Sequence, residues 1–478
     1  MEYSIYMSTS IYDSHQLLQN TIAQLHGITQ HVWYADNAQA AGKLHSLRLW
    51  WDRLVALGPK YGYYPKAAKT FIIVKPSRLT AVTELFSNTG IQFSSGERDL
   101  GAAIGMEGSV MKLIDTKVSK WTKEIKELST IAKCEPHAAH AAFVHGLRHR
   151  WSFIQRTMPD IGARMTPLEE SIRHDYIPSL IGRTITDIER DMLALPARLG
   201  GAAIDNPTIS TSIKFNESSQ ITKALADLII KQDPHQLPSS EMQAEIKGLM
   251  RKTKNARLTT EANSIIQNLP EPQSRAMYCA QEKGTSAIIT AKPIKRYGFA
   301  LQKSDFRDAM LLRYNWPIPN LPSKCHCGQK YDLDHSQICK LGGFVHMRHN
   351  DVRDLFATLT KTVVNDVEIE PPLQPLTGEH IQPQSANTSD DARSDIRARG
   401  FWQRQQNAFF DVRISYPNAK CYRTRPLQKC SHHWRKRKNV FTVIELFKSS
   451  TAPSLLWYLG QTAAWVRKHR WHSNIWQQ

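Results

Sequence analysis

Cysteine is scarce in this 478-residue chain: there are seven, and Cys134, Cys279, Cys421 and Cys430 stand apart from one another. Only Cys325, Cys327 and Cys339 gather in sequence, with His335 between them. That distribution excludes a disulfide framework and implies a reducing compartment. No apolar run reaches the length of a membrane span, so no membrane partner is expected. The start, Met1-Glu2-Tyr3-Ser4, lacks the basic segment and apolar block of a secretory leader. The expectation is an intracellular protein, nuclear or cytoplasmic. Acidic residues are also short: 43 Asp+Glu against 62 Lys+Arg leave a formal charge of +19. Such an excess calls for a polyanionic partner, with DNA and RNA first, although a merely basic globular protein has the same sum. No small-molecule substrate is expected.

What is present suffices for several cores. Hydrophobic residues make up 41% of the chain, and the length suits about three domains at roughly 150 residues each. Helical spacing marks Asp13 to Leu25, and again Ala40 to Leu57, where Gly58-Pro59 stops it. His31 to Ala35 reads as a short strand entering a turn, and Thr70 to Val74 as a buried strand. Residues 81–320 read as mostly helical, with exposed helices and linkers from Gln232 to Glu271 and a boundary at the proline-rich Pro317 to Pro322. Beyond it a helix is expected over Asn350 to Val364, a polar loop over Thr377 to Asp391 and a strand over Ala408 to Ile414.

The tetrad Tyr34-Ala35-Asp36-Asn37 would by itself be an ordinary turn. Its surroundings are more specific: a Trp50-Trp51-Asp52 helix, then Gly58-Pro59-Lys60-Tyr61-Gly62-Tyr63-Tyr64-Pro65, then Lys69-Thr70-Phe71-Ile72-Ile73-Val74. The series resembles the end of the palm in non-LTR retrotransposon reverse transcriptases, which are RNA-directed DNA polymerases. The resemblance assigns Asp36 to the Mg²⁺-binding acid pair and Lys69 to the neighbourhood of the incoming nucleotide. Adjacent carboxylates suit a two-Mg²⁺ site. Asn37 stands where the second Asp belongs, and only residues 1–33 precede the motif. The fingers and the other palm acid then have no counterpart, so no polymerase activity is expected.

Gly101-Ala102-Ala103-Ile104-Gly105, Pro136-His137-Ala138-Ala139 and Leu195-Pro196-Ala197-Arg198-Leu199-Gly200-Gly201 resemble the thumb-like region of the same family. From the residues alone they signal tight packing and turns. His137, His140, His145 and His149 could line a metal site by spacing, but more often form a polar helix face. Arg148 and Arg150 are candidates for phosphate contact.

Cys325-x-Cys327-x₇-His335-x₄-Cys339 is the strongest signal in the residues themselves. Three thiolates and an imidazole suit tetrahedral Zn²⁺ in a closed structural site. Gly328 permits the tight turn after the first pair, and the family carries a Cys-Cys-His-Cys knuckle at this place. After it come Gly342-Gly343-Phe344-Val345, Arg348-His349-Asn350, Glu370-Pro371, Arg393-Ser394-Asp395-Ile396 and Phe409-Phe410-Asp411-Val412-Arg413-Ile414. These resemble the restriction-like endonuclease that ends such polyproteins. The resemblance makes Asp395 and Asp411 the metal-binding acids and puts Arg413 in the place of the catalytic Lys. Arg413 stabilises phosphate charge but stays protonated, so it is no base. Arg348 and His349 are further candidates for nucleic-acid contact.

From Lys420 onward twelve Lys/Arg meet one acid, Glu445, a net of +11, and five of the twelve Trp fall there. Where the family continues with Gly-Ser-Phe-Thr-Pro-Leu-Val-Phe, this chain has Thr451-Ala452-Pro453-Ser454-Leu455-Leu456-Trp457-Tyr458. Codons for that stretch exist whose shifted reading restores the family sequence, so a frameshift entering near Cys430 is expected. The expected fold class is mixed α+β: a palm remnant (1–80), a helical thumb-like region (81–320), a zinc knuckle (323–345), an α/β restriction-endonuclease-like core (346–430) and a frameshifted tail (431–478). The expected function is a defective reverse transcriptase/endonuclease polyprotein; a non-catalytic nucleic-acid-binding protein with a structural zinc knuckle is the other reading.

Overall fold

The structure, a computed structural model, describes residues 18, 30–34, 37–231, 240–282, 284–341, 344–372, 393–412, 414, 416 and 441–442. It is mixed α+β, 61% helical with small sheets. Among the described residues no helix is long and apolar enough to cross a membrane.

The first strands among the described residues are β1 (Gln30–Tyr34) and β2 (Asn37–Ala41), antiparallel with Tyr34 opposite Asn37. The helix expected from Ala40 starts later, as α1 (Leu44–Leu57). Ala38 and Ala40 pair with Trp33 and His31 of β1 instead, because pairing with a neighbouring strand overrides alanine's helical propensity. Then come β3 (Phe71–Ile73), α2 (Leu79–Phe86), and β4 (Gln92–Ser94), which pairs parallel with β3. The strand β3 is less enclosed than expected, since Phe71 is 41% exposed. A hairpin of β5 (Gly96–Asp99) and β6 (Ala102–Gly105) precedes α3 (Glu107–Cys134). The mainly helical stretch continues through α4 (Pro136–His145), α5 (Ser152–Thr157), α6 (Thr166–Ser171), a π-helical turn at Ile172–Tyr176, α7 (Ile177–Ile181) and α8 (Asp187–Ala194). Two long helices follow, α9 (Pro207–Lys231) and α10 (Ser240–Asn268), then α11 (Glu271–Ala280), α12 (Ala287–Thr290) and α13 (Lys303–Arg313). The last part holds α14 (Leu333–Ile338), α15 (Phe344–Lys361), β7 (Val367–Ile369), β8 (Ile396–Arg399), β9 (Asn407–Asp411) and β10 (Phe441–Thr442). The helix expected over Asp13 to Leu25 and the loop over Thr377 to Asp391 lie outside the described residues, apart from Leu18.

Two compact units divide the chain. The first comprises Met1–Lys123, Arg150–Glu169 and Pro207–Asn255. One of its cores gathers Trp50, Trp51, Leu54, Val82, Phe86 and Ile91. Elsewhere in it, fully buried Gln155 on α5 donates to Pro207 O at 3.0 Å and Thr211 Oγ1 at 3.0 Å, and accepts from Lys214 Nζ at 2.8 Å. A buried amide met on both its donor and acceptor sides fixes α5 against α9 without an unpaired polar group.

The second unit comprises Glu124–His149, Glu170–Asn206 and Ala256–Gln478. Its helical part stacks Phe143 on Tyr176 at 5.0 Å and His137 on Phe306 at 5.2 Å. Buried Arg190 donates to Ile204 O at 2.7 Å, pinning the turn that follows Gly200-Gly201. A methyl group on Gly201 would lie 2.0 Å from Leu195 O and 2.4 Å from its carbon. Both are backbone atoms and cannot swing aside. Gly201→Ala is therefore expected to destabilise the unit by about 3 kcal/mol, the upper range of overpacking, measured as a lowered urea midpoint; an unchanged midpoint would refute the close approach.

The same unit ends in a sheet of order β10-β9-β8-β7. β7 and β8 pair antiparallel, as do β8 and β9, while β10 runs parallel to β9. α15 covers it through Val352, Phe356 and Ala357, which meet Ile396, Ala398, Ala408, Phe410 and Val412. Alternation explains the strand choice: Ile396 and Ala398 are fully buried while Arg397 and Arg399 point elsewhere.

Candidate metal centre and acid pair

The Cys/His segment folds as two turns around a common point. Gly328, at φ 80°, closes the first, where its amide donates to Cys325 O at 2.8 Å. A left-handed residue is needed there, and glycine takes that conformation without strain. Asp332 caps α14, its Oδ1 accepting from His335 N at 2.8 Å. That cap sets His335 in the first turn of the helix, and Cys339 follows its last residue. The four ligand atoms lie within 4.8 Å of one another. Cys325 Sγ and Cys339 Sγ are 3.8 Å apart, and Cys327 Sγ stands 3.2 Å from His335 Nε2.

Those separations fit zinc. Thiolates about 2.3 Å from a tetrahedral ion stand about 3.8 Å apart. Burial pushes the Cys339 thiol up to about 11, and its neighbouring sulfurs add to that. The Cys327 thiol is shifted down, chiefly by the Gln329 amide. A cation at this point would favour the thiolate of Cys339 that burial disfavours. Protein atoms would fill all four positions around an ion here, the arrangement of closed sites.

The acids Asp395 and Asp411 meet at the end of the sheet. Ile396 pairs with Phe410, so continuing the antiparallel register by one residue sets Asp395 opposite Asp411. The Asp395 carboxylate accepts from the Val412 amide and lies 3.4 Å from His349 Nε2, which is 2.9 Å from Val412 O. Burial raises the Asp395 carboxyl's pKa, but hydrogen bonds from His349, Val412 and Asp411 outweigh it, and the net direction is down. For His349 the hydrogen bond to Asp395 dominates and the pKa is raised. Four residues further along α15, Arg353 pairs with Glu370. The Glu370 amide donates to Asp395 O at 3.0 Å. The acids do not join a third ligand into a metal-sized group; among the described residues only the Cys/His set does so.

Other candidates fall elsewhere. Asp36 and Arg413 lie outside the described residues, although the strands on either side of Asp36 are paired. Lys69 is exposed at the end of the 3₁₀ turn Ala67–Lys69. Half-buried Arg148 donates to Ala203 O at 2.9 Å, and Arg150 is exposed. Arg348 departs from its expected role in phosphate contact. It is 8% exposed, and its guanidinium donates to the side-chain and backbone oxygens of Gln337, at 3.1 Å for the latter. A charge turned inward onto two carbonyls is not offered to a phosphate. Nor do the four histidines form a polar face: His137 and His140 are buried, while His145 and His149 are exposed. The contact of His349 with Asp395 was missed in the sequence, since nothing local links a helix residue to a strand that starts 47 positions later. No protein-family model matches the chain, and no curated protein is significantly similar to it.

Proposed function

We propose that this chain is a nucleic-acid-binding protein of the non-LTR retrotransposon reverse transcriptase/endonuclease type, in which a zinc knuckle braces a restriction-endonuclease-like core. The observation that carries this reading is the adjacency within one unit of a Cys₃His ligand set and an acid pair on neighbouring strands. Cys325, Cys327, His335 and Cys339 would hold Zn²⁺, which would supply folding energy and no chemistry. The excess of 62 Lys+Arg over 43 Asp+Glu supports DNA and RNA as partners.

Mg²⁺, the catalytic ion of that family, fits the described residues poorly. It requires a near-octahedral set of oxygens, whereas the Asp395 carboxylate is already engaged by Val412 and His349. We derive no cleavage step through it. This engagement favours a second reading, in which the chain binds nucleic acid without cutting it.

The test pairs two assays on the full chain. Binding to duplex DNA is expected to weaken linearly in log salt, as phosphate contacts require. Nicking of supercoiled plasmid with Mg²⁺ or Mn²⁺, abolished by Asp411→Ala, would select the endonuclease. Salt-dependent binding without nicking would select the non-catalytic protein, and an absence of salt-dependent binding would sink both.

A further inference from the structure

Arg348 and His349 are consecutive on α15 and reach in different directions. A helix turns by about 100° per residue, so neighbouring side chains serve different sides. Arg348 holds the backbone oxygen of Gln337, in the last turn of α14, and its side-chain oxygen. The C-terminal carbonyls of a helix favour a cation. His349 holds Val412 O and faces Asp395, at the end of the strands that carry the acids. A second tie crosses the same gap: Tyr416, four residues past Val412, donates its hydroxyl to Asp334 of α14 at 2.6 Å.

We infer that Arg348, His349 and Tyr416 form a two-sided bracket through which the metal-filled knuckle sets the position of Asp395 and Asp411. They are positioning residues: His349 touches Asp395 directly, and Arg348 and Tyr416 act on the acids through other groups. The inference rests on the zinc reading above. α14 has six residues, too few to persist alone in water. Its ends are fixed by Asp332, by the ligand His335 and by the ligand Cys339. When the ion leaves, α14 loses two of these anchors. Gln337 and Asp334 then move away, and the bonds of Arg348 and Tyr416 to them break. Arg348, buried, would lose both of its bonds to Gln337, which drives the N-terminal half of α15 to move, and His349 with it.

Amide hydrogen exchange of Phe409 to Val412, read on the full chain beside its zinc content, tests this. Chelation is expected to speed exchange in the wild type by about tenfold, the effect of losing one hydrogen bond to a charged group. Arg348→Met is expected to show that faster exchange with its zinc still bound, and chelation should then add little. Tyr416→Phe removes only the hydroxyl tie and provides the same comparison should Arg348→Met fail to fold. Exchange at these amides that neither chelation nor the variants change, in a protein shown to hold zinc, would overturn the bracket. A wild type without zinc would overturn the knuckle reading instead, and the bracket with it.

Discussion

Cys339→Ser protein is expected to retain about a tenth or less of the zinc held by the wild type, measured by elemental analysis after purification without added metal. The reason lies in the pocket. Cys339 is 7% exposed, and its sulfur stands 3.8 Å from that of Cys325. Apparent binding free energies at structural zinc sites of this ligand class run to about 10 kcal/mol or more, and binding is inseparable from folding. A serine hydroxyl stays protonated and hard where a thiolate is needed. Residues 323–341 contribute few large buried side chains beyond the ligands themselves, so little else would keep their turns closed. His326, between two ligands, is exposed and lies outside the ligand group; His326→Ala should keep full zinc. Equal zinc in Cys339→Ser and wild type, or loss in His326→Ala, would contradict the site.

Acid is expected to weaken the second unit's helical part between pH 6.5 and 4. His140 is fully buried; its Nε2 donates to Ala202 O at 3.0 Å, and Nδ1 has no hydrogen-bond partner among the described residues. Burial lowers its pKa to about 4, with His137, Arg148 and His145 adding repulsion and the Ala202 carbonyl opposing. His137 accepts from Leu301 N at 3.2 Å, and burial takes it to about 4 as well, against the pull of the Ala291 carbonyl. Both folded values lie below the ordinary value of 6.5, so the unfolded chain binds more protons in this window. Stability is therefore fully present above pH 6.5 and is lost as pH falls towards 4. Each imidazole accounts for about 3 kcal/mol over that span. Urea midpoints measured from pH 7 to 4 should fall steeply. In His140→Gln, which keeps a donor for Ala202, the fall should be roughly halved. A flat profile in the wild type would refute the neutral buried pair.

Local signals were legible in the sequence, and long-range ones were not. The strand at His31 and the break at Gly58-Pro59 depend on neighbours within a few residues, and both features appear. The ligand set was readable for the same reason, because its four members fall within 15 positions, Cys325 to Cys339, and converge. The helix start at Ala40 was misread because Ala40 and Ala41 suit a helix until His31 and Gln30 lie beside them. The burial of His137 and His140 was hidden because it depends on Phe306 and Leu301, more than 160 positions away. Arg348 looked like a phosphate contact because its charge is visible in the sequence and its burial is not.

The sheet beneath α15 ends, among the described residues, at β7. That strand has three residues, and Glu368 within it pairs with Arg397 of β8 at 3.0 Å. Asp366, just before it, pairs with the same guanidinium at 3.1 Å. An exposed strand edge is a template on which a second chain can add a strand and begin to aggregate. Here the template is too short for more than a few ladder bonds, and an incoming strand would have to lie against carboxylates. The margin of the sheet thus guards against self-association with the same ion pairs that join β7 to β8.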